Sequence, residues 1–133
     1  MIKKYLFSLV IIHFAFFSNA QVMTEIGAGS FTMGNASYAR ENPIRTVSVS
    51  RFYLSKHHVT NAQFAAFLNT YGSDTIKTGE FIGKPIFLED SWGIVRENGT
   101  WKPAIGYESF PMIKVTWYGA NEFCRDAGGR LPT

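Results

Sequence analysis

The residues of this chain that could do chemistry are few and mostly isolated. Cys124 is the single cysteine in 133 residues. Sulfur-based chemistry would have to use that thiol alone or with a partner outside these residues. His57 and His58 are adjacent and could ligate a metal, but no Cys, His or carboxylate stands near them at a ligand spacing such as H-E-x-x-H. Two ordinary histidines at a strand end are the better account. Glu89 and Asp90 are candidate paired carboxylates for acid–base work. Neighbours in a strand point to opposite faces, so this pair is read as part of a solvated loop. Gly27, Gly29 and Gly34 lack the spacing of a dinucleotide fingerprint and no strand–helix unit surrounds them, which makes them turn glycines.

Two further signals concern recognition. Trp92, Trp101 and Tyr107 could stack on sugars in a groove, with core packing as the default for each. Asn35-Ala36-Ser37 and Asn98-Gly99-Thr100 match the N-glycosylation sequon, which has meaning only if the source adds such glycans. The second is explained by its turn alone. No catalytic, cofactor-binding or metal-binding residue is assigned within the chain.

The elements that would position these residues are legible from periodicity and punctuation. Phe31-Thr32-Met33 alternates like a short strand, and Gly34-Asn35 turns the chain into a polar loop that Pro43 ends. Thr46 to Ser50 is a period-two strand whose pattern Phe52 and Leu54 extend, suggesting one buried face. Thr60-Asn61-Ala62-Gln63 forms a capping box ahead of Phe64, Phe67, Leu68 and Tyr71, an amphipathic helix that stops at Gly72. Gly72 to Pro85 reads as loop, and Ile86-Phe87-Leu88 as a short apolar run of either type. Asn98-Gly99 is a two-residue hairpin signal inside Ile94 to Lys102, predicting Glu97 opposite Thr100 and Arg96 opposite Trp101. A last helix begins after Thr116 and carries Trp117, Ala120, Phe123, Cys124 and Ala127 on its apolar face before Gly128-Gly129. That placement makes Cys124 a packing residue rather than a nucleophile.

At the N-terminus, Lys3 and Lys4 precede an apolar run from Tyr5 to Phe17 and the small-polar-small triplet Ser18-Asn19-Ala20. This order is that of a cleavable secretion signal over residues 1–20, and the run is shorter than the ~20 residues of a spanning helix. The expectation is an exported protein, periplasmic, cell-surface or extracellular, that starts at Gln21 and keeps no stable membrane anchor. Lys3 and Lys4 are two of the 13 basic residues and none of the 10 acidic ones lies beside them, so the net charge of +3 falls to +1 on cleavage. Basic residues are scattered singly, which gives no footprint for nucleic acid. Residues 21–133 suffice for one small domain, and one cysteine excludes a disulfide framework within them. The chain stops at Arg130-Leu131-Pro132-Thr133 without an element to close a core, so the expectation is the N-terminal part of a truncated domain.

Taken in order, Gly29-Ser30-Phe31-Thr32-Met33-Gly34, Pro43, Val47-Ser48-Val49, Phe52-Tyr53-Leu54 and Val59-Thr60-Asn61-Ala62-Gln63-Phe64 resemble one family. Phe110-Pro111-Met112-Ile113-Lys114-Val115-Thr116-Trp117, Ala120, Phe123-Cys124 and Gly129-Arg130-Leu131-Pro132-Thr133 continue the resemblance. The pattern is similar to the sulfatase-modifying factors, whose namesake is the formylglycine-generating enzyme. The resemblance implies an α+β, C-type-lectin-like fold of short helices, small antiparallel sheets and much irregular backbone. It implies that catalytic members oxidise a sulfatase cysteine to formylglycine with oxygen and a copper ion held by a cysteine pair near the end of the domain. That pair, and the family's structural calcium sites, would fall beyond Thr133. Cys124 matches the family's earlier cysteine, a packing or disulfide position. An exported sulfatase or other protein substrate is the implied partner. A non-catalytic scaffold or binding module on the same fold is the alternative function.

Overall fold

The computed structural model describes residues 21–89 and 91–132. The expected secretion signal at 1–20 and the carboxylate of Asp90 lie outside the described residues.

Alternating apolar residues on either side of the 34–44 loop pair into a long antiparallel ribbon. Strand β1 (Met23–Ile26) pairs with β4 (Phe52–Ser55), and β2 (Gly29–Met33) pairs with β3 (Arg45–Val49). The register continues across the gap, with Ile26 opposite Phe52 and Gly29 opposite Val49. Phe52 and Leu54 therefore extend the β3 pattern as the sequence suggests, with a break at Ser50-Arg51. The expected buried face is not formed. Phe31 is 50% exposed and Leu54 43% exposed, because no strand of the ribbon packs against either helix among the described residues.

Helix α1 (Asn61–Tyr71) begins at a reciprocal capping box. The Gln63 amide donates to Thr60 Oγ1 at 3.2 Å and the Thr60 amide to Gln63 Oε1 at 3.0 Å, satisfying donors that a helix start leaves orphaned. Gly72 ends it in the left-handed region at φ 73°, its amide donating to Leu68 O, a conformation glycine adopts without penalty. Phe64, Ala65, Phe67 and Leu68 bury the inner face.

Two elements close on that face. Strands β5 (Ile94–Glu97) and β6 (Thr100–Pro103) form the hairpin, with Glu97 opposite Thr100 and Arg96 opposite Trp101 as the turn predicts. Asn98 and Gly99 have φ of 49° and 81°, both positive as a type I′ turn requires. Asn69 of α1 binds this hairpin like a short strand, its carboxamide donating to Trp101 O and accepting from Trp101 N, each at 2.8 Å. Helix α2 (Trp117–Asp126) is capped by Thr116, whose Oγ1 accepts from the Gly119 amide at 3.0 Å. It sends Phe123 into the core, stacked on Phe64 at 5.8 Å and edge-on to Phe67 at 5.3 Å. Trp117, expected on the apolar face, is 57% exposed and packs edge-on against Phe81 of the 73–88 segment.

That segment has no helix or sheet strand, in keeping with the loop reading, yet it contributes Ile76 and the fully buried Ile86 to the core. Phe87 pairs with Val115 in a single bridge. Gly119 faces Ile86 so closely that a β-carbon there would lie 2.0 Å from Ile86 O. The result is an α+β arrangement of two short helices and small antiparallel sheets.

Candidate functional site

Three surface features gather the residues that could act. The first is an apolar cavity of about 260 Å³ between α1 and α2, lined by His58, Phe64, Met112, Phe123, Cys124 and Leu131 among others. The capped start of α1 fixes Phe64 and the apolar stripe of α2 fixes Phe123 and Cys124. Cys124 is half-buried, and its burial raises the thiol pKa above the ordinary value. A thiol held protonated by desolvation is a poor nucleophile at neutral pH, which agrees with its reading as a packing residue. Both histidines are exposed; His58 lines this cavity, while the His57 carbonyl accepts from Ser55 Oγ. Met112, well removed from Cys124 in sequence, reaches the same cavity.

The second is a polar cleft of about 260 Å³ at the C-terminal end of α1, lined by Asn69, Ser73, Asp74, Arg96 and Trp101 among others. Arg96 lies over the Trp101 ring at 5.5 Å and 3.9 Å from an Asp74 oxygen. Both charges are about half exposed, so this pair contributes little stability.

The third is an aromatic face. Trp92 and Tyr107 meet edge-on with centroids 5.0 Å apart and planes at 80°, and Phe110 joins Tyr107 at 5.3 Å. Trp92 is 51% exposed and Phe110 50% exposed. Of the three aromatics singled out for stacking, the structure brings Trp92 and Tyr107 together. Trp101 stays apart, half-buried edge-on to Phe87. Beneath this face Asn61 is 1% exposed. Its Nδ2 donates to Tyr107 O at 2.8 Å and its backbone amide to Phe110 O at 2.9 Å, while the Ala62 amide donates to Glu108 O at 3.1 Å. Residues 107–110 thus supply the carbonyls that satisfy the first turn of α1. Sequence reasoning took Asn61 only as part of a capping motif. No local signal marks it as the anchor of a loop 46 residues away.

The remaining candidates stay separate. Glu89 is exposed. Asn35 Oδ1 accepts from the Ser37 amide in a local turn, and Asn98 sits exposed in its hairpin. Among the described residues no three His, Cys, Asp or Glu side chains gather to hold a metal ion. One half-buried thiol, even with a thioether in the same cavity, does not fit a copper site built from two thiolates. No helix among the described residues is long and apolar enough to cross a membrane.

Residues 15–133 match the sulfatase-modifying factor enzyme 1-like domain. The chain belongs to the sulfatase-modifying factor family. The formylglycine-generating enzyme of Mycobacterium tuberculosis is 30% identical over 143 residues, covering 84% of this chain and 48% of that protein. The formylglycine-generating enzyme of Bos taurus is 29% identical over 84% of this chain and 37% of its own length. Higher identity, 37% over 112 residues, is found with the serine/threonine-protein kinase pkn1 of Chlamydia caviae, covering 84% of this chain and 18% of that one. PvdO from Pseudomonas aeruginosa is a structural neighbour over 81% of this chain and 41% of that one, at TM-score 0.48 and 22% identity. The chain spans half or less of the length of the curated relatives it matches.

Proposed function

We propose that this chain is the scaffold-bearing portion of an exported, formylglycine-generating-type oxidase that converts a cysteine of a sulfatase to formylglycine. The observation that carries this reading is the family match over residues 15–133, supported by the formylglycine-generating enzymes at 29–30% identity. In the proposed division of labour, residues 21–132 build the α1–hairpin–α2 core and present the aromatic face. Copper chemistry belongs to cysteines outside these residues, since the one thiol here is half-buried and held protonated. Calcium, where the complete domain takes it, would likewise be bound by residues beyond Thr133. Export rests on the charge, apolar run and small-residue order of the first twenty residues.

A second reading has its own support. The 37% identity is to a stretch making up 18% of a protein named as a kinase, an arrangement that suits a non-catalytic binding module attached to another activity. The full-length protein, purified with copper, should convert a sulfatase-derived cysteine peptide to the aldehyde, read by mass and hydrazide capture. Replacing Cys124 by Ser should leave turnover intact. A full-length protein that folds yet yields no aldehyde refutes the oxidase reading in favour of the module. Intact mass of secreted protein beginning at Gln21 tests export separately.

A further inference from the structure

The ribbon strands do not pack on either helix among the described residues, but one side chain crosses the gap. Gln21 is half-buried. Its Nε2 donates to Gln63 Oε1 of α1 at 3.1 Å, and its Oε1 accepts from Ser55 Oγ, at the end of β4, at 3.0 Å. Next to it the Val22 carbonyl accepts from the Lys56 amide at 2.8 Å, which pins the backbone to the same strand end. The helix cap fixes the direction of these bonds. Gln63 Oε1 already accepts from the Thr60 amide at 3.0 Å, so the group facing it has to be a donor. The Gln21 carboxamide therefore turns its nitrogen to α1 and its oxygen to Ser55. The Ser55 hydroxyl has one hydrogen and shares it with the His57 carbonyl at 2.8 Å.

A glutamine at this position brings a chemistry of its own, provided the export reading on which it rests is right: cleavage after Ala20 leaves Gln21 with a free amine. An N-terminal amine loses its proton at a pH of about 8, and the neutral nitrogen can attack Cδ of its own side chain. The amine nitrogen bonds to Cδ, the Cδ–Nε2 bond breaks, and Nε2 leaves as ammonia with a proton given up by the amine. Nothing is oxidised or reduced. The product, pyroglutamate, is a lactam that has lost both the N-terminal charge and the Nε2 donor, so the bond to Gln63 goes with it. Ring closure folds Cδ back onto the residue's own nitrogen. A carboxamide bonded to Gln63 on one side and Ser55 on the other has to release both before it can close. Two side-chain bonds of ordinary strength, one of them shared, slow that step by about tenfold.

We propose that Gln21 is a modification site guarded by the fold, an N-terminal glutamine whose closure to pyroglutamate is held back by Ser55 and Gln63. Full-length protein is made as a fusion whose protease leaves Gln21 as the first residue, so the assay does not depend on export; the start site of secreted protein tests export separately. Closure is followed at pH 8 as the loss of one ammonia from the N-terminal peptide by mass, in the folded protein and in the same chain unfolded in guanidinium chloride. The folded protein should close about tenfold more slowly. Ser55→Ala leaves the amine untouched and, in a protein whose amide spectrum stays dispersed, should close about two- to fivefold faster than folded wild type. Gln63→Glu, which keeps an acceptor for the Thr60 amide and for Gln21, should close as slowly as wild type. Equal rates in the folded and unfolded chains, a folded Ser55→Ala no faster than wild type, or a folded Gln63→Glu as fast as the unfolded chain would each overturn the proposal.

Discussion

Replacing Gly119 by alanine tests the closest approach in the core. Helix preference alone favours the change by about 1 kcal/mol, since alanine loses less backbone freedom than glycine. The tertiary structure opposes it. The added carbon would lie 2.0 Å from Ile86 O, 2.7 Å from its carbonyl carbon and 2.8 Å from its Cγ2, where an unstrained carbon–oxygen contact needs about 3.3 Å. Ile86 is fully buried and cannot swing aside, so α2 has to retreat by roughly an ångström. That retreat stretches the bonds that dock its cap, Thr116 N to Ile86 O at 3.0 Å and Thr116 Oγ1 to Pro85 O at 2.6 Å. Overpacking costs about 1–3 kcal/mol and each weakened bond about 1 kcal/mol. Set against the helix gain, the net expectation is a loss of about 2–4 kcal/mol. Urea unfolding of the full-length protein should show a lower midpoint at unchanged slope. A midpoint that stays put or rises would mean that propensity outweighs contact and that α2 does not sit this close to Ile86.

Asn61→Ala should cost about 1 kcal/mol by removing the Nδ2 bond to the Tyr107 carbonyl, which keeps the Phe110 amide as its other donor. Gly93→Ala should also destabilise, through its φ of +101° and its collision with the Asn61 carboxamide. The double variant should cost less than the two singles together, and strict additivity in a denaturant cycle would refute the contact. Gly99→Val should lower stability by about 1 kcal/mol or more, because a β-branched residue fits poorly at φ of +81°; an unchanged melting temperature counts against the type I′ turn. Cys124, its pKa raised by burial, binds its proton more tightly folded than unfolded. Its contribution is therefore intact below the unfolded thiol pKa of about 8.5 and is lost as pH rises from there through the folded value. Iodoacetamide at pH 8 should alkylate it more slowly than the denatured chain, and equal rates would place the thiol in solvent.

Local signals determined the local elements. The Thr60–Gln63 capping box, the Gly72 stop, the Asn98-Gly99 turn with its register and the Thr116 cap each depend on side chains within a few residues of the backbone groups they satisfy, so the sequence alone predicts them. The resemblance to the sulfatase-modifying factors was legible for a similar reason, because it rests on ordered strings rather than on contacts. Tertiary structure decided which apolar faces are covered. Alternation in the ribbon signals a face able to be buried, but burial needs an opposing layer, and among the described residues none packs on it. It also decided that Ile76 and Ile86 of an aperiodic segment complete the core. The aromatic face was half visible: composition singled out Trp92 and Tyr107, yet Phe110 and the exclusion of Trp101 required distances. Asn61 shows the physical reason most plainly. Its role depends on carbonyls 46 or more residues away, and one sequence carries no record of which distant backbone groups a buried carboxamide will meet once the chain has closed around it.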